Sequence, residues 1–285
     1  MPTFDTPEPI AITVDVFLGN VTIAASDRAD TVVDVRPSDE AKNDDIRAAK
    51  DTTVEYAAGL LTVKAPRGWK LYTPFSGNPS IDVTIQAPTG SQLRGTGSVA
   101  RFLATGELGQ VELKTSVGDL QLEKAGPVEL KTSGGNITVD NATERMTVST
   151  STGIVRVRAV EGAATIKNSN GDSTVRDLNG DLQVNAANGN IVVERARGAV
   201  TAKTANGNIR VADVINGTLQ LETSVGEIEI GIHPGSAAWL DVNAKNGAVQ
   251  NLMAAADGPA GTDDTVKVYA RNSFGNIIVR QATSV

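Results

Sequence analysis

The chain contains no cysteine, a single histidine (His233) and few aromatic side chains; Trp, Tyr and Phe make up 4% of its 285 residues. Each shortage closes a route. Without Cys there is no disulfide framework, no thiol nucleophile and no thiolate metal site. One His leaves no His cluster and no His-based zinc centre. His233 precedes Pro234 in a turn and reads as a solvated surface residue rather than a member of a triad. No apolar run approaches the roughly 20 residues that span a bilayer. The opening MPTFDTPEPI has neither the basic nor the apolar region of a secretory signal. A cytoplasmic protein is expected if Met1 is the natural start; the alternative is an exported protein whose leader has been removed. The net charge of −7 argues against nucleic acid, whose phosphates call for a basic face.

A chain this poor in aromatics builds its core from Val, Ile, Leu, Ala and Thr, which suit pleated surfaces. The first 89 residues do not repeat. Ile10–Val16, Val21–Ala25 and Thr31–Val35 alternate as half-buried strands, with LGN as a turn between the first two. Ser38 or Asp39 is placed to cap a helix reaching Lys50, with Ile46 and Ala49 facing inward. TVEYA, LLTVKAP and IDVTIQAP supply further strands. Between the last two, Arg67–Ser80 has no periodicity and reads as a long exposed loop holding Trp69, Tyr72 and Phe75. Those aromatics cover one end of the core or form a contact site, since aromatics are favoured at interfaces.

From about Gly90 the chain repeats. Gly118, Gly135, Gly153, Gly171, Gly189, Gly207 and Gly226 follow one another at 17, 18, 18, 18, 18 and 19 residues. A second series (Gly109, Gly126, Glu144, Gly162, Gly180, Gly198, Gly217) precedes the first by nine. Each half-repeat is a turn followed by an apolar–polar–apolar triplet such as VEL, ITV, VRV, LQV or IEI, the period of a strand with one buried face. Small residues (Thr115, Thr132, Thr150, Asn168, Ala186, Thr204, Thr223) occupy a further inward position, as a tapering core edge requires. Fixed-period self-similarity near 20 residues means a solenoid. Nine residues cannot hold a strand, a helix and two connections, so an α/β alternative fails. The fold class expected is all-β: a parallel β-solenoid of about 18-residue coils with two strands per coil. A non-repeating β cap (1–89) precedes the repeats (90–285), which an irregular loop interrupts at 251–264.

The repeated NSNGD, AANGN and TANGN segments are read as corners. Asn-Gly turns supply left-handed backbone conformations that other residues resist. Stacking puts Asn170, Asn188 and Asn206 in one column beside Gly171, Gly189 and Gly207, where the amides hydrogen-bond along the stack. Calcium would need a carboxylate on every coil. Here the acids at these corners are only Asp119, Asp172 and Glu227, so no metal or other cofactor is expected. Glu112 and Glu129 share an outward row with no sign of a cleft, and Lys114, Lys131, Lys167 and Lys203 make an interrupted stripe that reads as a solvated face.

The layout resembles a widespread group of bacterial β-strand-repeat or "putative adhesin" proteins, in particular actinobacterial members. The likeness rests on DVTIQAPTG (Asp82–Gly90) and on GDLQL, GNITV, GNIVV, GNIRV, GEIEI and GNIIV. It implies a strand-repeat fold over nearly the whole chain and brings no catalytic motif. Relatives of this kind are linked to cell envelopes. The expected function is a non-catalytic structural or interaction module: a cytoplasmic scaffold that self-associates or docks a protein partner. The alternatives are an envelope module binding a cell-wall polymer or cationic peptide and, more remotely, a glycan-processing β-helix enzyme. Val266–Gln281 reads as the last coil, and an apolar Ile278 breaks its polar alternation. An exposed terminal edge invites pairing, so Ile277, Ile278 and Val279 are expected to face either the 251–264 loop or, preferably, a second copy in a homodimer.

Overall fold

A computed structural model describes residues 1–66, 78–253 and 264–283. Trp69, Tyr72 and Phe75 lie outside the described residues, as does most of the 251–264 loop. Strands dominate, and the only helix among the described residues is Asn43–Asp51. The chain divides into two compact units, Met1–Val139 and Asp140–Val285. Both are stacks of parallel coils, a β-solenoid.

In the first unit, residues that do not repeat in sequence still form coils. The long strand Ala11–Ser26 passes through Gly19, whose φ is +139°. Its first half pairs in parallel with Leu60–Lys64 on one side and with Gln92–Gly97 on the other. Its second half does the same between Ile81–Pro88 and Val99–Thr105. Residues 10–26, the first coil in sequence, are therefore second in the stack. The stack continues through Val111–Val117 and Val128–Lys131 on one face and Leu120–Ala125 on the other.

Antiparallel strands close the free edge of the outermost parallel strands, Leu60–Lys64 and Ile81–Pro88. Thr53–Ala57 pairs with Leu60–Lys64, and Asp30–Pro37 pairs with Ile81–Pro88 and then with Thr3–Asp5. The helix packs beside the last two of these larger strands. It starts later than Ser38 or Asp39 would place it, and it buries Asp45 and Ala48 rather than Ile46 and Ala49. The reason is hydrogen bonding. The Asp45 carboxylate accepts the Ser80 N–H at 2.9 Å and the Asp39 N–H at 3.2 Å, tying the helix to the cap. Phe102, the largest fully buried side chain, fits because its neighbours lack side chains. A Cβ on Gly95 would stand 2.6 Å from its ring, and one on Gly97 3.3 Å.

The second unit is more regular. Met146–Thr152, Ala164–Asn170, Leu182–Asn188 and Val200–Asn206 stack in parallel on one face. Val155–Glu161, Ser173–Asn179 and Ile191–Arg197 stack on the other. The order then departs from the sequence. Val266–Phe274 pairs with Gly217–Val225 on one side and with the strand Ser236–Asn246 on the other. Ile277–Gln281 likewise lies between Ile228–Ile232 and Val249–Asn251. The last coil in sequence is thus inserted beneath the one before it.

This placement corrects the expectation that Ile277, Ile278 and Val279 form an exposed terminal edge. Ile277 and Val279 are fully buried, and Ile278 stands between Glu229 and Gln250 of flanking coils. Among the described residues the outermost coil is 236–251. Ser236–Asn246 contains no fully buried residue, and Val249–Asn251 is exposed throughout.

A candidate interaction surface on the carboxyl-proximal coils

The corner columns are linked by hydrogen bonds from coil to coil. Asn188 donates from Nδ2 to Asn170 Oδ1, and Asn206 to Asn188 Oδ1, each at 2.9 Å. One step along, Asp172 Oδ1 accepts the Asn190 N–H at 2.8 Å, Asn190 Oδ1 accepts that of Asn208 at 2.9 Å, and Asn208 Oδ1 that of Glu227 at 2.8 Å. The Asp172 carboxylate is therefore engaged in closing a corner. Gly171, Gly189 and Gly207 hold φ of 133°, 141° and 154°. A Cβ on Gly189 would sit 2.2 Å from the Gly171 carbonyl oxygen, so the coils touch backbone to backbone. The inward polar residues complete the corner. Asn168 Nδ2 donates to Gly153 and Gly171 carbonyls, and the Thr204 and Thr223 hydroxyls to those of Gly189 and Gly207. Size alone suggested these positions from the sequence; their hydrogen bonds show why they are polar.

The charged rows are paired at Lys114 and Lys203. Glu112 accepts from Lys114 Nζ at 2.6 Å and from Arg94 at 2.7 Å, and Lys114 also reaches Glu129 at 3.1 Å. Lys203 pairs with Glu222. His233 Nδ1 lies 2.9 Å from Asp213 Oδ1, and Asp213 also faces Arg195. These are surface ladders that neutralise neighbouring coils.

What stands out is where the second unit keeps its aromatics. From Asp140 onward the sequence holds Trp239, Tyr269 and Phe274. They are 54%, 37% and 57% exposed, all on the adjacent coils 236–251 and 264–281. Trp239 and Tyr269 are in ring contact, with centroids 5.3 Å apart and planes tilted by 58°. Trp239 stands beside Lys267 in the register, and Tyr269 lies between Gln220 and Asp241. Arg271 clamps Asp241: Nη2 donates to both carboxylate oxygens at 2.8 Å, and Nη1 to the Asp241 backbone oxygen at 2.7 Å. These bonds hold the Asp241 carboxyl below its ordinary range and the Arg271 guanidinium above its own. Phe274 continues the corner column in which earlier coils carry asparagine, next to exposed Val225.

The strand alternation carries a signal for this surface that the repeat and its corners do not. In AWLDV and VKVYA the aromatic occupies the outward place that earlier triplets give to Thr, Gln or Glu. The polar middle of a strand triplet is where an exposed aromatic is informative.

No curated protein sequence matches the chain. Among solved structures, a "putative adhesin" from Parabacteroides merdae is 15% identical, with a TM-score of 0.48 over 81% of this chain and 94% of that one. A "putative lipid binding protein" from Parabacteroides distasonis is 11% identical, with a TM-score of 0.38 over 99% and 96%. A "putative cell adhesion protein" from Clostridium sporogenes is 12% identical, with a TM-score of 0.25 over 98% of each chain. The family model described as Toastrack DUF4097 matches residues 10–251, which takes in the coils of both units through Asn251. The chain belongs to the Toastrack DUF4097 family.

Proposed function

We propose that the protein is a non-catalytic interaction module: a rigid scaffold of coils that docks a partner on the outward face of coils 236–251 and 264–281. One observation carries this reading. In a chain with so few aromatics, the second unit places all three of its own on the surface of neighbouring coils and none in the core. Burying an aromatic there would have stabilised the fold, so their exposure points to a contact. The first unit does the reverse with Phe102.

Self-association is a second reading, favoured by the edge of Ser236–Asn246, which among the described residues pairs with Val266–Phe274 on one side only. A second copy adding its own edge strand would cover it. The homodimer contact is then this strand and not Ile277, Ile278 or Val279.

The test uses the labelled full chain against native host cells and their cytosolic and envelope fractions. Retention on one fraction, lost in a Trp239→Ala/Phe274→Ala double variant that melts like the parent, supports the reading. The fraction that retains the chain separates a cytoplasmic scaffold from an envelope module. Unchanged retention by the double variant would sink the proposed surface. Sedimentation at micromolar concentration tests the dimer, which Leu240→Lys should dissociate.

A further inference from the structure

We infer that the Trp239–Tyr269 face binds an anionic glycan, a saccharide chain bearing uronic-acid carboxylates. This rests on the interaction-module reading and names the ligand class of the same surface.

The first argument is what surrounds the aromatics. A protein hot spot is ringed by contacts that exclude water from a central anchor. On this face the outward side chains are Thr218, Gln220 and Glu222 on one coil, Lys267 and Arg271 beside Tyr269, and Asp241 and Asn243 beside Trp239. None is aliphatic. Two aromatic faces set among planar amides, a carboxylate and a guanidinium match a pyranose. Its C–H face stacks on a ring while its hydroxyls exchange hydrogen bonds at the rim. The two rings, in tilted contact at 5.3 Å, together form one exposed aromatic ledge on which a pyranose face can stack.

The second argument is charge. Arg271 is neutralised by Asp241, and Glu222 by Lys203. Lys267, next to Trp239 in the register, has no ion-pair partner among the described residues. On a chain of net charge −7 the aromatic face thus presents Lys267 beside Trp239 without an ion-pair partner among the described residues. A carboxylate on the bound chain supplies its partner. The clamped Arg271–Asp241 pair stays fixed and offers its remaining donors and acceptors to sugar hydroxyls.

The sequence holds two tryptophans, so Trp69→Phe leaves Trp239 as the only indole reporter in the full chain. Titration of that variant with oligogalacturonate should shift or quench Trp239 emission, with matching heat by calorimetry. A neutral cello-oligosaccharide of the same length should bind about tenfold more weakly, a difference of one charge contact that salt reduces. Tyr269→Ala should weaken oligogalacturonate about thirtyfold, as removal of an anchoring aromatic does. Lys267→Gln should bring the acidic and neutral oligomers to equal affinity. Equal binding of both oligomers by the parent would overturn the anionic assignment, and no signal with either at millimolar concentration would overturn the glycan class. If the Trp239→Ala/Phe274→Ala double variant loses retention on host fractions while neither oligosaccharide binds the parent, the glycan inference fails and the interaction surface stands. If retention is also indifferent to the double substitution, both fail.

Discussion

The amino-proximal end of the first unit and the carboxyl-proximal end of the second solve one problem in two ways. Each places the coil nearest that end of the chain one layer in: residues 10–26 lie inside Leu60–Lys64 and Ile81–Pro88, and residues 264–281 lie inside 236–251. A strand paired on both edges cannot fray as a terminal strand does. The two then part. At the amino-proximal end the outermost coil is sealed by antiparallel strands and a helix, and Leu61, Val63 and Ile85 are fully buried. At the carboxyl-proximal end coil 236–251 pairs on one side among the described residues, keeps Leu240 and Val242 half-buried, and carries an exposed Trp239. One end is built to close. The other leaves apolar and hydrogen-bonding capacity available, which is what a binding module requires.

The largest expected effect separates stacked corners from the turns of the outermost coils. Gly189→Ala drives a Cβ into the Gly171 carbonyl at 2.2 Å, with φ at +141°, and should cost about 4 kcal/mol or prevent folding. Gly59 and Gly235 also hold positive φ, but a Cβ on either meets nothing within 4 Å. Their Ala variants should cost only about 1 kcal/mol each, from backbone strain alone. Urea midpoints decide it; a Gly235→Ala loss as large as that of Gly189→Ala would mean that another layer lies over coil 236–251. Next in size is the contrast between cores. Leu61→Ala at the sealed end should cost about 3 kcal/mol, and Leu240→Ala at the open end about 1 kcal/mol, because a half-exposed side chain has less burial to lose and no closed cavity to leave. Equal losses would break the distinction between a sealed and an open end.

The sequence showed the repeat plainly because each coil must place a turn glycine where backbone meets backbone and an apolar residue where strands face inward. Gly171, Gly189 and Gly207 could not be other residues, and their spacing gave the coil length. Coil order was not legible. Strand pairing across the insertion of 264–281 is decided by which neighbours fit, and the triplet VKV is as apolar inward as any other. The same blindness hid the coils in the first 89 residues, where Ala11–Ser26 and Leu60–Lys64 pair in parallel without repeating each other's turns. At the candidate site, Trp239 and Tyr269 are outward by the same alternation that places Val266 and Val268 inward, so their exposure could be read from pattern. Their contact could not, since it depends on the inserted coil bringing residue 269 beside residue 241.

The asparagine column gives a smaller effect and tests whether corners bind or only join. Asn188 donates to Asn170 and accepts from Asn206. Asn188→Ala removes both bonds from a solvent-exposed ladder, with a loss of about 1 kcal/mol. Calcium should leave the melting temperature unchanged in parent and variant alike. A calcium-dependent rise that Asp172→Asn abolishes would make these corners metal sites and move the binding surface away from the open end.

The smallest effect compares two carboxylates, one inside the stack and one in the outermost coil. Glu112 lies between coils with its side chain 19% exposed, and hydrogen bonds from Lys114 and then Arg94 lower its pKa against a desolvation penalty. Asp241, on the outermost coil, is 41% exposed, and the hydrogen bonds from Arg271 lower its pKa. A carboxyl whose folded pKa lies below its unfolded value contributes stability that is fully present above the unfolded pKa. That stability is lost as pH falls through the folded value. The Glu112 pairs therefore weaken from about pH 4.5 downward and the Asp241 pair from about pH 3.8 downward, where the unfolded chain takes up protons first. Glu112→Gln should remove about 0.5 kcal/mol at pH 7 and flatten the stability curve between about pH 5 and pH 3, as exposed pairs are worth little. Asp241→Asn should flatten it less, because its coil is wetter and salt screens its partner more fully. Urea unfolding at several pH values in low and high salt reads both. If Asp241→Asn flattened the curve more than Glu112→Gln, the carboxyl-proximal coil would be as dry as the stack beneath it, and its role as the open, ligand-facing end would have to be given up.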